Sequence, residues 1–98
     1  MQKIMTQRLY LGTMTNGVGA CISKVPFQPI TKKEFEEAQK QGQERVIAFD
    51  GKYIKVLADY SIADFEFISY SVANLIAGRN TIEDSLERGK VIEINIEA

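Results

Sequence analysis

Histidine and tryptophan are absent from this chain, cysteine occurs once and proline twice. Without histidine the chain lacks the commonest general base and the commonest zinc ligand. A single cysteine excludes an intramolecular disulfide and any zinc site built from several thiolates. The acidic residues do not follow the spacing of a calcium-binding loop. Charge of one sign is also missing. The formal net charge is −1, which provides neither the basic stripe of a phosphate-reading protein nor the acidity of a nucleic-acid mimic. No apolar run approaches the roughly 18 residues of a membrane span. The opening MQKIMTQ lacks the apolar core of a signal peptide. These absences predict a cytoplasmic chain without metal, cofactor or membrane association, and one that does not bind nucleic acid sequence-specifically.

What is present is ordinary globular material. Apolar residues make up 45% and charged residues 26% of the chain, which suits one packed α+β domain over residues 1–98. Residues 1–7 read as a flexible lead.

The organising stretch is Arg45 to Val56. Asp50-Gly51 suits a two-residue type I′ turn, which needs positive φ at both positions. That turn sets Phe49 opposite Lys52 and Ile47 opposite Ile54. Phe49, Ile47, Ile54 and Val56 then form a core face, and Val46, Ala48, Tyr53 and Lys55 a mixed one. A second hairpin is expected from Arg8 to Lys24, turning at Asn16-Gly17. There Leu9, Leu11, Thr13, Val18, Ala20 and Ile22 read as core. Tyr10, Gly12, Met14, Gly19, Cys21 and Ser23 make an unusually smooth opposite face.

Pro26 and Pro29 keep the next segment extended. Thr31 with Glu34 forms a capping box, Ile30 with Phe35 a staple, and Gly42 a stop. A surface helix is therefore expected from Thr31 to about Gln41. Ser61 with Asp64 predicts a second helix to about Ala77, ended by Gly78, although FEFISYSV also alternates like a strand. Thr81 begins a short third helix closed by Gly89. The final KVIEINIEA alternates as a half-buried strand that must pair to be ordered. The expected architecture is a mostly antiparallel sheet of two hairpins and a C-terminal strand, covered by two to three helices in the order ββ-α-ββ-α-α-β.

Chemistry-bearing patterns are few. Asn16-Gly17-Val18-Gly19 departs from the dinucleotide fingerprint, since Ile22 stands where a third glycine belongs, and the phosphate-loop Gly-Lys-Ser/Thr is missing. It reads as a hairpin turn. Cys21 has no neighbouring base type to activate it and reads as a small buried hydrophobe. Asp59, Asp64 and Glu66 cluster, but Asp64 already has a capping role. Arg79, Asn80 and Thr81 before a helix start suggest an anion site.

The expected function is a non-enzymatic protein-binding module that works by surface occlusion. The size and layout are compatible with small inhibitors or accessory proteins of phages and mobile elements. The nominated contact surface is Tyr10, Gly12, Met14, Gly19, Tyr53 and Lys55, with self-association through a sheet edge or that face as a corollary. The alternative is a small-ligand protein holding a nucleotide or other anion at Arg79, Asn80 and Thr81. An enzyme using Asp, Lys or Tyr has the least support.

Overall fold

The computed structural model describes residues 6–81 and 86–97. The fold is α+β, with two antiparallel sheets and two α-helices among the described residues. Its strands are β1 (Thr6–Thr13), β2 (Ala20–Ser23), β3 (Phe27–Pro29), β4 (Val46–Phe49), β5 (Lys52–Val56), β6 (Phe65–Ile68) and β7 (Val91–Glu97). Helix α1 (Lys32–Lys40) follows β3, and helix α2 (Tyr70–Asn80) follows β6. One sheet runs β6-β2-β1-β7 and the other β3-β5-β4.

Asp50-Gly51 forms the expected turn, with φ of 48° and 77°, and Phe49 lies opposite Lys52. Asn16-Gly17 behaves differently. The hairpin keeps the expected register, Thr13 opposite Ala20, but its loop is wider. The Gly17 amide donates to the Met14 carbonyl, and the Met14 amide to the Gly19 carbonyl. Asn16 does not adopt positive φ. Its side chain instead accepts from the Val18 amide and donates to the Gly51 carbonyl. Asn16 thus ties one hairpin tip to the other. Val18, expected in the core, sits in this loop and is exposed.

Helix α1 has the capping box formed by Thr31 and Glu34. It ends in a Schellman arrangement: the Gly42 amide donates to Gln39 and the Gln43 amide to Ala38, with Gly42 at φ 72°.

Four expectations need correction. Residues 27–29 are more than a connection, because they pair with β5 as an edge strand. Thr6 and Gln7, expected in a loose lead, pair with Glu97 and Ile96. Ser61 and Asp64 do form a capping box, but it caps a single 3-10 turn, Ile62–Asp64. The chain then extends into β6, because β2 has an open edge that Phe65–Ile68 can satisfy. The helix begins only at Ser69, whose hydroxyl accepts from the Val72 amide, and it passes through Gly78 to Asn80. Of the expected third helix, residues 82–85 lie outside the described residues, while residues 86–89 are coil and turn rather than helix, and Thr81 is the C-cap of α2.

Opposite faces of β1 belong to different cores. Leu11 and Ala20 pack with Ile94, Leu86, Ala73 and Ala77 beneath α2. The two alanines let the helix lie close on the sheet. Met14 and Cys21 pack with Phe27, Ile54 and Val56 between the sheets. Phe35 of α1 meets Tyr53 on the outer face of the second sheet, ring centroids 5.2 Å apart. The layers are therefore α2, sheet, sheet, α1.

The junction before β7 is held by side chains. Tyr70 donates to the Leu86 carbonyl, and Asn74 accepts from the Leu86 amide at 3.1 Å. Thr13, fully buried, donates its hydroxyl to the Glu87 carbonyl. The Gly89 amide and the Lys90 carbonyl both bond Thr13. With Gly89 at φ 76°, this is a G1-type bulge that aims the chain into β7.

Candidate functional site

The smooth hairpin face is an internal surface. Gly12 lies beneath Phe27 and Val91. A Cβ built there would fall 2.7 Å from Val91 Cγ2 and 3.0 Å from the Phe27 ring. Met14 is 1% exposed, and Tyr10 is half-buried in the same layer. Gly19 is covered by the Lys52 stem, 2.5 Å from where a Cβ would stand. Tyr53 is half-buried under α1, while Lys55 is exposed beside it. The six residues do not form one contact surface. Their smoothness serves the contact between the two sheets.

Arg79, Asn80 and Thr81 occupy the carboxyl end of α2. Asn80 donates to the Ile76 carbonyl and Thr81 to the Ala77 carbonyl. Arg79 there complements the negative end of the helix dipole. The carboxylates also diverge. Asp59 pairs with Arg45 at 2.7 Å, Asp64 accepts from the Ser61 amide, and Glu66 is exposed on β6. Among the described residues, no three His, Cys, Asp or Glu side chains converge as a metal site.

Cys21 is fully buried. Burial pushes its thiol up from 9.0 to about 12, against a smaller opposing effect of a backbone hydrogen bond from Glu66. At neutral pH it is a protonated, poorly nucleophilic group.

The surface that does stand out was not anticipated. Phe49, expected in the core, is 57% exposed. It stacks on Phe67 with centroids 5.2 Å apart and planes 19° from parallel. Ile62, on the 3-10 turn, is 69% exposed. Phe49, Ile62, Phe65, Glu66 and Phe67 line one shallow, mainly apolar groove. The groove lies where the open edges of the two sheets, β4 and β6, come together. Phe65 is held from below by Phe27 and Tyr60, both edge-on to its ring. The hairpin register did place a charged residue, Lys52, directly opposite Phe49 on the supposed core face, although the Lys52 stem itself is buried over Gly19.

The site therefore defines a class by shape alone, a two-sheet α+β protein with an aromatic groove at the meeting of two strand edges. Comparison with known proteins found no matching family model, curated protein or solved structure. Among the described residues, no helix is long and apolar enough to cross a membrane.

Proposed function

We propose that this chain is a non-enzymatic protein-binding module that acts by covering a partner's surface, and that Phe49 and Ile62 are its anchors. The observation carrying this reading is the exposure of these two large apolar side chains on one groove. A single exposed hydrophobe needs no explanation, but aromatic and aliphatic anchors clustered around a groove favour protein contact. The groove floor is pre-organised, since Phe65 is held by ring contacts with Phe27 and Tyr60 and Phe67 packs against the core between the sheets. Little side-chain freedom is then lost when a partner binds. Edges β4 and β6 are four residues long each. They suit a short extended segment of a partner carrying aliphatic side chains.

The test is affinity capture from the native host, comparing the wild-type chain with the double variant Phe49→Ala, Ile62→Ser. Both positions are largely exposed, so the variant is expected to keep its circular dichroism spectrum and to melt cooperatively, slightly lower for the lost Phe49–Phe67 stacking. Loss of a specific partner supports the reading. Equal recovery by both proteins, or no specific partner for the wild type, would rule it out.

The anion-binding alternative gains nothing from the geometry. Its side-chain amide and hydroxyl are engaged with helix carbonyls. A nucleotide panel in a thermal-shift assay tests it, because a ligand at 100 times its dissociation constant stabilises by about 2.7 kcal/mol.

A further inference from the structure

We propose that two copies of this chain form a symmetric dimer by pairing β7 with β7, antiparallel and centred on Ile94. The proposal rests on the geometry of one strand, independently of the aromatic groove. β7 is the longest open edge, seven residues from Val91 to Glu97. Among the described residues no strand pairs with its outer side. Of the usual devices that blunt an edge it has two glutamates, Glu93 and Glu97, and a bulge at Gly89 that precedes its first residue. It contains no proline or lysine, and its pairing with β1 runs without interruption from Gly12↔Val91 to Thr6↔Glu97.

The hydrogen-bond alternation says which amides are on offer. Thr13 bonds the Lys90 carbonyl. Alternation along the ladder then turns the backbone groups of Ile92, Ile94 and Ile96 toward β1 and those of Val91, Glu93, Asn95 and Glu97 outward. A two-fold axis perpendicular to the sheet keeps both copies' α2 on the same side. It requires each residue to meet another of the same facing.

Three registers keep most of the strand paired, and charge chooses between them. Centring on Glu93 sets that carboxylate against itself. Centring on Asn95 sets Glu93 against Glu97. Centring on Ile94 pairs all seven residues and sets Glu93 against Asn95, an acceptor against an amide donor. Ile92 then faces Ile96, and Ile94 faces its own copy. Like charges directly opposite destabilise a pair and complementary ones stabilise it. The Ile94 register is therefore the favoured one. The aromatic groove is formed partly by β6, at the far margin of the same sheet, so the dimer leaves both grooves free.

Analytical ultracentrifugation of the full chain tests this, with two variants at the exposed Asn95. Asn95→Glu places two new carboxylate pairs across the axis and is expected to weaken dimerisation at least about tenfold. Asn95→Lys places an ammonium opposite each Glu93 and is expected to tighten it several-fold, more so at low salt. Arg8 lies beside position 95 within the same chain, so monomer stability should shift the other way, up for Glu and down for Lys. Opposite shifts in assembly and in monomer melting separate an interface effect from misfolding. A wild-type chain that stays monomeric at several hundred micromolar would overturn the proposal. So would a dimer whose dissociation constant is unmoved, or moved in the same direction, by both substitutions.

Discussion

Gly12 has room for a hydrogen and nothing larger, because Val91 and the Phe27 ring close over it. Gly12→Ala should cost about 1–3 kcal/mol through forced displacement of Val91 on the neighbouring strand and of the Phe27 ring of the facing sheet, measured as a lower urea midpoint. Cys21 lies in the same layer and gives a pH signature. Below pH 9 both the folded and the unfolded thiol are protonated, so stability there is indifferent to this group. Between 9.0 and about 12 only the folded thiol keeps its proton. Stability should therefore fall as pH rises through that window, by about 1.4 kcal/mol per unit from this residue alone. Urea unfolding near pH 8 and pH 10, in the wild type and in Cys21→Ala, isolates the effect because other titrating groups are common to both. The thiol should also resist an aromatic disulfide reagent until denaturant is added. Residue identity made the burial of Cys21 readable, since a small thiol among alternating apolar positions belongs inside. It misled at Phe49, where ring size suggested core and only the neighbouring sheet's edge left one face of the ring in water.

At the scale of elements, capping chemistry was legible, but element type was misread at residues 65–68. Asp50-Gly51 holds positive φ at both positions. Gly51→Ala should destabilise by about 1–2 kcal/mol from left-handed strain alone, a loss that a denaturation curve resolves. Asn16-Gly17 shares the composition but relaxes into a wider loop, because the Asn16 side chain reaches the Gly51 carbonyl instead. Ser61 and Asp64 satisfy every local rule for a helix start, yet the turn they cap lasts three residues. The true start is Ser69, where Ser69→Ala should cost about 1 kcal/mol, read as a lower melting temperature and faster amide exchange in the first turn of α2. What converts residues 65–68 into a strand is the unsatisfied edge of β2, which lies more than forty positions earlier. No local pattern contains that information.

The whole molecule is organised by a sheet whose central strands are covered on both faces. Its α2 side is aliphatic, with Leu11, Ala20 and Ile94. Its other side carries Met14 and Cys21, which pack against Phe27 of the second sheet. Met14→Lys would place a charge among the apolar side chains packed between the two sheets. It should abolish cooperative folding, because burying an unpaired ammonium costs a large share of the stability of a small protein. Lys55→Glu, on the outer surface, should leave the melting temperature within about 1 °C to 2 °C, since exposed substitutions change stability little. Circular dichroism distinguishes the two outcomes directly.

By itself the sequence determined the α+β class, the Asp50-Gly51 ribbon and its register, the limits of α1, and the alternating final strand. Each of these follows from contacts within a few residues or from a strict two-residue period. Tertiary structure alone decided that Gly12 and Met14 are covered, that residues 65–68 extend, that Arg79, Asn80 and Thr81 close a helix, and that Phe49 and Ile62 stand in water. For Gly12, Met14 and residues 65–68 the deciding neighbour comes from a distant strand or another layer, whereas Asn80 and Thr81 bond carbonyls four residues back in a helix whose position the local pattern misplaced. Burial depends on what arrives to cover a face, and a pattern of side chains records only that the face is there.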